Sequence, residues 1–168
     1  MSERVHSFDP LVGERAAVLV LGSMPGVRSL ELAEYYGHPQ NAFWRVAAEL
    51  GVDRELPYAE RCRALTGLGI AVWDVAQSCV RPGSLDTNIR AAEPNDLAEL
   101  VGSHEELTTV LANGVKAREL LDRFRRRGDE RVALPARVEV RTMPSTSPAN
   151  TRKGKVEEWV RTLRSLLS

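Results

Sequence analysis

The sequence lacks the marks by which a disulfide scaffold, a metal site or a membrane anchor is identified. It contains two cysteines, Cys62 and Cys79, and no CxxC or Cys/His cluster with the spacing of zinc ligands. No apolar run approaches the ~20 residues that span a bilayer, and the charged N-terminus lacks the apolar core of a signal peptide. We therefore expect a monomeric, cytoplasmic protein with reduced thiols, without a metal, a cofactor or a membrane partner.

The sequence also lacks net charge, because 23 acidic residues balance 23 basic ones. No protein-wide positive field therefore indicates a nucleic-acid partner, and only local clusters can do so. Residues 123–127 form an arginine cluster that is typical of a solvated helix face. Arg152, Lys153 and Lys155 follow an unusual loop and are candidates for phosphate contacts.

What the sequence does contain is an alternation of short apolar runs and helical patterns, over a length that fits one domain, residues 1–168. Four runs that are apolar on both faces predict buried strands at 17–21, 69–75, 107–111 and 138–142. Helical patterns cover 42–50, 58–66, 95–101, 115–127 and 155–167. This order predicts a three-layer α/β/α sandwich around a four-stranded, mainly parallel sheet.

Such a fold locates the functional site, because ligands of open α/β sheets bind at the carboxyl ends of the strands. The segments that leave the predicted strands are 22–41, 76–94, 113–114 and 143–153. We expect residues in these segments to line the site.

The first of these segments begins with GSMPG, which comprises Gly22, Ser23, Met24, Pro25 and Gly26. The glycines permit unusual backbone geometry and the proline stiffens the turn, so the loop can direct N–H groups at a ligand. It is neither GxGxxG nor GxxxxGK[ST], which disfavours a dinucleotide site or a P-loop. Taken alone, it also fits a plain tight turn.

The last segment, MPSTSPANTRKGK, places three hydroxyl side chains between two prolines. Ser145, Thr146 and Ser147 can donate to phosphates, and Pro148 would hold the loop rigid. The alternative is a loop that merely caps the final helix.

GSMPG, YYGHPQNAFW, SCVRPGSLDTNI and MPSTSPANTRKGK occur in this order, and together they resemble the uracil-DNA glycosylase superfamily, in particular its hypoxanthine-DNA (deoxyinosine) glycosylase branch. The resemblance covers roughly residues 16 to 160. It implies a glycosylase-like fold and a base-excision-repair hydrolase that acts on DNA containing deaminated bases. Such an enzyme flips the damaged base out of the stack and leaves an abasic site.

One position departs from the uracil-specific branches, which carry Asp or Asn in the first motif. Met24 stands there and can neither orient nor polarise a water. The resemblance assigns the catalytic amide instead to the asparagine of HPxN, which is Asn41. Asn41 also fits the N-cap of the following helix, and that position is compatible with catalysis.

The base-binding candidates lie in the same two motifs. Tyr36 matches the stacking aromatic of the superfamily, and Phe43 is a further candidate for the base pocket. Phe43 and Trp44 begin a helix, however, and more readily pack against the sheet. His38 either belongs to a structural turn or takes part directly. Backbone N–H groups of the GSMPG turn could meet charge on the departing base.

The loop SCVRPGSLDTNI is expected to wall the base pocket and to support the first loop. Arg81, Pro82 and Gly83 predict a turn, while Ser84, Asp86 and Asn88 can hydrogen-bond locally. A purely structural loop is the alternative.

Two chemistries find little support. No carboxylate pair of the kind that ordinary glycosidases use is apparent, although Asp86 and Glu93 lie in the second loop. The lysines are Lys116, Lys153 and Lys155, and two of them stand in the phosphate-contacting segment. We therefore expect a monofunctional enzyme without a Schiff base.

The alternatives to this function are a uracil or mismatch (G:U or G:T) glycosylase of the same superfamily and a catalytically silent nucleic-acid-binding module.

Overall fold

The computed structural model describes residues 3–84 and 89–168. Within them the strands are β1 (Arg4–His6), β2 (Val18–Gly22), β3 (Ile70–Asp74), β4 (Ala76–Val80), β5 (Arg90–Pro94), β6 (Thr109–Asn113) and β7 (Glu139–Met143). The helices are α1 (Val27–Leu32), α2 (Phe43–Glu49), α3 (Tyr58–Gly67), α4 (Leu97–Gly102), α5 (Val115–Arg126) and α6 (Lys155–Leu167), with a 3-10 turn at Glu130–Val132.

The central sheet has the strand order β3-β2-β6-β7, and each neighbouring pair is parallel. Successive β2 side chains point to opposite faces, as the period of a strand requires. Leu19 and Leu21 pack with the side chains of α4 and α5, whereas Val18 and Val20 pack with those of α2, α3 and α6. The predicted three-layer α/β/α sandwich with a parallel sheet is thereby confirmed.

One strand corrects the sequence interpretation. The run at 138–142 was expected to be buried on both faces, but β7 is an edge strand that exposes Glu139 and Arg141. An edge strand has a neighbour on one side only, and the side chains of Glu139 and Arg141 lie on a face that is open to solvent. Arg141 Nε lies 3.1 Å from Glu139 Oε1, an ion pair that also lowers the pKa of the Glu139 carboxyl through its hydrogen bond to Arg141.

A second sheet was missed. The segment 76–94 was expected to be a loop, but β4 and β5 pair antiparallel within it, and β1 pairs with β4 on the other side. These strands carry no long apolar run, so their sequence gives little strand signal. Of these two strands, β4 ends at Val80 and β5 begins at Arg90.

No helix in the described part of the chain is long and apolar enough to cross a bilayer.

Candidate active site

A cavity of about 540 Å³ lies at the carboxyl ends of the central strands. All four strands supply its wall: β2 ends at Gly22, β3 ends at Asp74, β6 ends at Asn113, and the loop 145–150 follows β7. The cavity therefore occupies the edge of the sheet that the fold predicts for a ligand.

Every residue of the GSMPG turn lines this cavity. Gly22 lies beneath the side chain of Asp74, and a Cβ atom at position 22 would collide with the Asp74 carboxylate. The same Cβ would lie 3.3 Å from the Tyr36 hydroxyl. Gly22 is therefore required so that a carboxylate and a phenol can both approach the end of β2.

The loop after β4 supports the first loop, as predicted. The guanidinium of Arg81, which is buried, donates from Nη2 to the carbonyl oxygen of Pro25 and from Nε to that of Gly83 at 2.9 Å. Ser84 Oγ accepts from the N–H of Val27 at 2.7 Å and lines the cavity. Two further candidates in this loop, at positions 86 and 88, lie outside the described residues.

Asp74 is a site residue that the sequence interpretation missed. Its side chain is 3% exposed, lines the cavity and lies over Gly22. The backbone carbonyl of Asp74 accepts from Asn95 Nδ2 at 2.8 Å, which fixes the end of β3. An acidic residue that ends a buried parallel strand was the available signal. Glu93, the other described acid noted from the sequence, pairs with Arg131 at 3.3 Å.

Tyr36 lies in the cavity wall with Phe43 behind it. The two ring centroids are 4.4 Å apart, and the planes are inclined by 33°. Phe43 is 1% exposed and is absent from the cavity lining, so its candidacy as a direct base contact is corrected. The first residue of α2 faces the sheet core, where it supports the Tyr36 ring.

The backbone around Tyr36 is held from several directions. Tyr36 itself has a left-handed φ of 53°, which is unusual for a residue with a side chain. Trp44 Nε1 donates to the Tyr35 carbonyl at 2.9 Å, and the Tyr35 hydroxyl donates to the Asp9 carbonyl at 2.8 Å. Burial, followed by the nearby Asp74 carboxylate, raises the pKa of Tyr35. Tyr35 is therefore a protonated structural anchor beside the site.

Asn41 lines the cavity and is tied to the start of α2. Its Oδ1 accepts from the N–H of Phe43 at 2.9 Å, and its own N–H donates to the His38 carbonyl at 2.9 Å. The sequence suggested Asn41 as the N-cap, but the helix begins at Phe43 with Ala42 as N-cap, so Asn41 lies one residue before the cap. The hydrogen bond to Phe43 still fixes the amide, because it accepts a free N–H of the first helical turn.

The loop after β7 is locked to β6 by an asparagine. Asn113 Oδ1 accepts from Thr146 N–H, and Asn113 Nδ2 donates to Thr146 Oγ1, both at 2.9 Å. Thr146 is 1% exposed and its carbonyl accepts from Ala42 N–H at 2.9 Å. The phosphate contact expected of Thr146 is therefore corrected: its hydroxyl is buried and joins the loop to the sheet.

Ser145 and Ser147 retain the geometry for an outward contact. Their Oγ atoms accept from the N–H groups of Ser147 at 3.1 Å and Ala149 at 3.2 Å, which leaves each O–H able to donate. Lys155 Nζ donates to the carbonyls of Ser147 and Asn150. This lysine is 8% exposed, so it clamps the loop from inside.

The predicted phosphate contacts divide between two places. Ser145, Ser147 and Pro148 line the cavity that contains Asn41. Arg152 and Lys153 do not; they lie in a neighbouring groove of about 810 Å³, which Pro148 also lines.

Two other residues that the sequence analysis considered receive definite positions. His38 is an exposed cavity residue whose Nδ1 accepts from the Gln40 N–H at 3.1 Å, so that ring nitrogen serves the turn. Lys116 lines the cavity and pairs in solvent with Glu119 at 3.2 Å. Across residues 3–84 and 89–168, no group of three or more His, Cys, Asp or Glu side chains could hold a metal ion.

Comparison with known proteins agrees with this geometry. The family model of the Uracil DNA glycosylase superfamily matches residues 10–166. A protein named Hypoxanthine DNA glycosylase from Methanosarcina barkeri is 34% identical over 158 residues, covering 92% of this chain and 94% of the relative. A protein of the same name from Methanosarcina acetivorans is 32% identical over the same shares.

A solved structure supports the same relationship. A solution NMR structure from Methanosarcina acetivorans, provisionally named a uracil DNA glycosylase, has a TM-score of 0.80 and 29% identity. The match covers 99% of this chain and 100% of that one. The superfamily resemblance of the loop motifs is thereby confirmed, and the chain belongs to the uracil DNA glycosylase superfamily.

Proposed function

We propose that the protein is a monofunctional DNA-deoxyinosine glycosylase, which excises hypoxanthine from DNA and leaves an abasic site. The observation that carries the proposal is the pairing of Asn41 and Met24 in one cavity. The first loop offers an apolar side chain where uracil-specific branches carry an amide or a carboxylate, and the HPQN loop supplies the amide instead. The two relatives named for hypoxanthine support the same substrate.

The flipped base would stack on Tyr36. Stacking on an aromatic side chain contributes ~1–3 kcal/mol per base, which offsets much of the cost of unstacking it from the duplex. Phe43 fixes the ring plane from behind, so little side-chain freedom is lost when the base enters. Met24 adds an apolar contact in the same wall.

Asn41 would position the attacking water. A carbonyl oxygen has two lone pairs; Phe43 N–H engages one, and the second can accept from water. The NH2 group can donate to the base or to the sugar. As water bonds to C1′, the glycosidic electron pair leaves with the base, and the water loses a proton to solvent. Backbone N–H groups of the first loop would stabilise the negative charge on the departing hypoxanthine.

Asp74 would stabilise the opposite charge. Cleavage of a glycosidic bond develops positive charge on the sugar, and glycosidases meet that charge with carboxylates. Asp74 places one carboxylate in the cavity wall, and its backbone is fixed by Asn95. An amide that cannot titrate and one buried acid together provide a water-positioning group and a fixed electrostatic group.

DNA containing deaminated bases would be held by the loop after β7. Ser145 and Ser147 would donate to backbone phosphates, Pro148 would keep the loop rigid near the vacated stack, and Arg152 and Lys153 would meet flanking phosphates. We keep the single domain, the monomeric state and the cytoplasm as expectations for this enzyme.

The test is a panel of matched duplexes that carry hypoxanthine, uracil or mismatched thymine at one position. Single-turnover excision is measured at saturating enzyme, and the reacted DNA is then treated with alkali, which breaks the strand at abasic sites. We expect hypoxanthine to be excised fastest. Faster excision of uracil or of mismatched thymine would contradict the substrate assignment, and duplex binding without an abasic product would contradict catalysis.

A further inference from the structure

The groove beside the candidate active site carries an excess of positive charge, of which the sequence indicated only the part at residues 152–155. Its basic residues come from three separate segments: α2 with Arg45, the loop after it with Arg54, and the segment that leads into α6, with Arg152 and Lys153 before the helix and Lys155 as its first residue. Glu49 and Glu157 are the acids in the same lining. In a chain whose formal net charge is 0, this is a local positive field.

The cations at the mouth of the groove are available for a ligand. Arg45, Arg54 and Lys153 are exposed, and within the described residues none of them makes an ion pair, whereas Arg152 is 3.3 Å from Glu158. Burial, followed by the charge of Arg45, lowers the pKa of Lys155, so these two groove cations repel each other. A bound anion would relieve this repulsion.

The groove adjoins the base cavity. Pro148 and Asn150 line both, so the loop 148–150 forms a ridge between them. Asn150 is held there because its Nδ2 donates to the Ser145 carbonyl at 2.9 Å and its own carbonyl accepts from Lys155. A strand with one nucleotide in the base cavity can therefore reach the groove by crossing this ridge on one side of that nucleotide.

We propose that the groove binds the backbone of the lesion-bearing DNA strand on one side of the flipped nucleotide, with Arg45 and Arg54 as phosphate contacts. The inference rests on the proposed function, since it assumes that a DNA strand enters the base cavity. It adds two arginines from outside the loop after β7 to the DNA-binding surface. These contacts position the strand and read no sequence.

The experiment compares the wild-type protein with Arg45→Ala/Arg54→Ala. A matched control is Arg126→Ala/Arg127→Ala, in or just after the last turn of α5 and away from both cavities. Both arginines are exposed and make no ion pair with any residue that the structure describes. Equilibrium binding to an undamaged single strand is measured from low to moderate salt. Each lost phosphate contact should reduce the slope of log affinity against log salt by ~0.7, and by ~0.9 on a duplex. The control should keep the wild-type slope.

Truncated strands identify which flank the groove holds. Single-stranded oligonucleotides with one hypoxanthine are shortened on the 5′ or on the 3′ side of the lesion. Wild type should lose affinity on both truncations, whereas the groove variant should be insensitive to the loss of one flank. Such non-additivity between a substitution and a truncation indicates a direct contact.

Three results would overturn the inference. They are an unchanged salt slope in the groove variant, equal sensitivity to both truncations in both proteins, and a reduced slope of the variant that is seen on the duplex but not on the single strand. The last would place the complementary strand in the groove. Because slopes are measured on undamaged DNA, they do not depend on hypoxanthine excision. If wild type excises hypoxanthine and the groove variant keeps the wild-type salt slope, only the proposed role of the groove is contradicted. If wild type does not excise hypoxanthine and the groove variant has a reduced salt slope, only the proposed function is contradicted.

Discussion

Replacing Asn41 with alanine separates its catalytic role from its structural one. The structure gives the side chain one intramolecular hydrogen bond, from Phe43 N–H to Oδ1 at 2.9 Å. Loss of a comparable helix-start hydrogen bond costs ~1 kcal/mol of stability. Loss of one preorganised hydrogen bond to a reacting group lowers the rate by ~100- to 1000-fold.

These two effects cannot be mistaken for one another. A domain with a typical stability of roughly 5–15 kcal/mol remains about 99% folded or better after losing ~1 kcal/mol. A hundredfold fall in the single-turnover rate at saturating enzyme therefore cannot arise from unfolding. The assay is excision from a hypoxanthine duplex, with chemical denaturation of the same protein as the stability measurement.

Two further variants sharpen the test. Asp96→Ala removes a hydrogen bond of the same kind, from Glu99 N–H to Asp96 Oδ1 at 3.0 Å, at the start of α4 and outside the cavity. It should reduce stability similarly and leave excision unchanged. Asn41→Asp keeps an acceptor for Phe43 N–H but loses the NH2 group, so it should be stable and slow. If Asn41→Ala excised hypoxanthine at the wild-type rate, Asn41 would have no part in the mechanism. If Asn41→Asp did so, the role proposed for the NH2 group would be contradicted.

Three other predictions test the remaining groups. Met24→Asn should create or raise uracil excision, since it returns an amide to the first loop; an unchanged uracil rate in a folded variant would contradict this. Asp74→Asn removes a buried negative charge at constant shape and should slow hypoxanthine excision by roughly 100-fold, with undamaged DNA bound as before; wild-type excision would exclude the electrostatic role. Arg152→Ala/Lys153→Ala should weaken binding of damaged and undamaged duplex equally, with a salt slope lower by ~0.9 per lost contact, and should change excision at saturating enzyme much less. A loss of lesion preference alone would place these two residues in the base pocket.

The sequence by itself determined the central sheet and the loops of the site. The run at 17–21 is apolar on both faces, which only a strand covered on two sides tolerates, and β2 is buried throughout. The amphipathic stripe at 155–167 matches the bounds of α6. Because parallel strands present their carboxyl ends at one edge, the strand order also predicted that the loops carrying Gly22, Asn41 and Ser145 would meet, and all three residues line one cavity.

The tertiary structure decided what each loop residue contacts. Thr146 and Ser147 are equivalent in sequence as hydroxyl residues, but only the Thr146 hydroxyl accepts a hydrogen bond from Asn113, 33 positions away, and only Thr146 is almost fully buried. Phe43 lies behind Tyr36 because α2 turns its first residue toward the sheet core. Asp74 counted as part of an apolar run until the fold placed it over Gly22, and Arg45 and Arg54 became one surface with Lys153 only through the packing of α2 against α6. Most of these contacts join residues far apart in the chain, and all of them depend on how the elements pack, so local pattern and propensity carry little information about them.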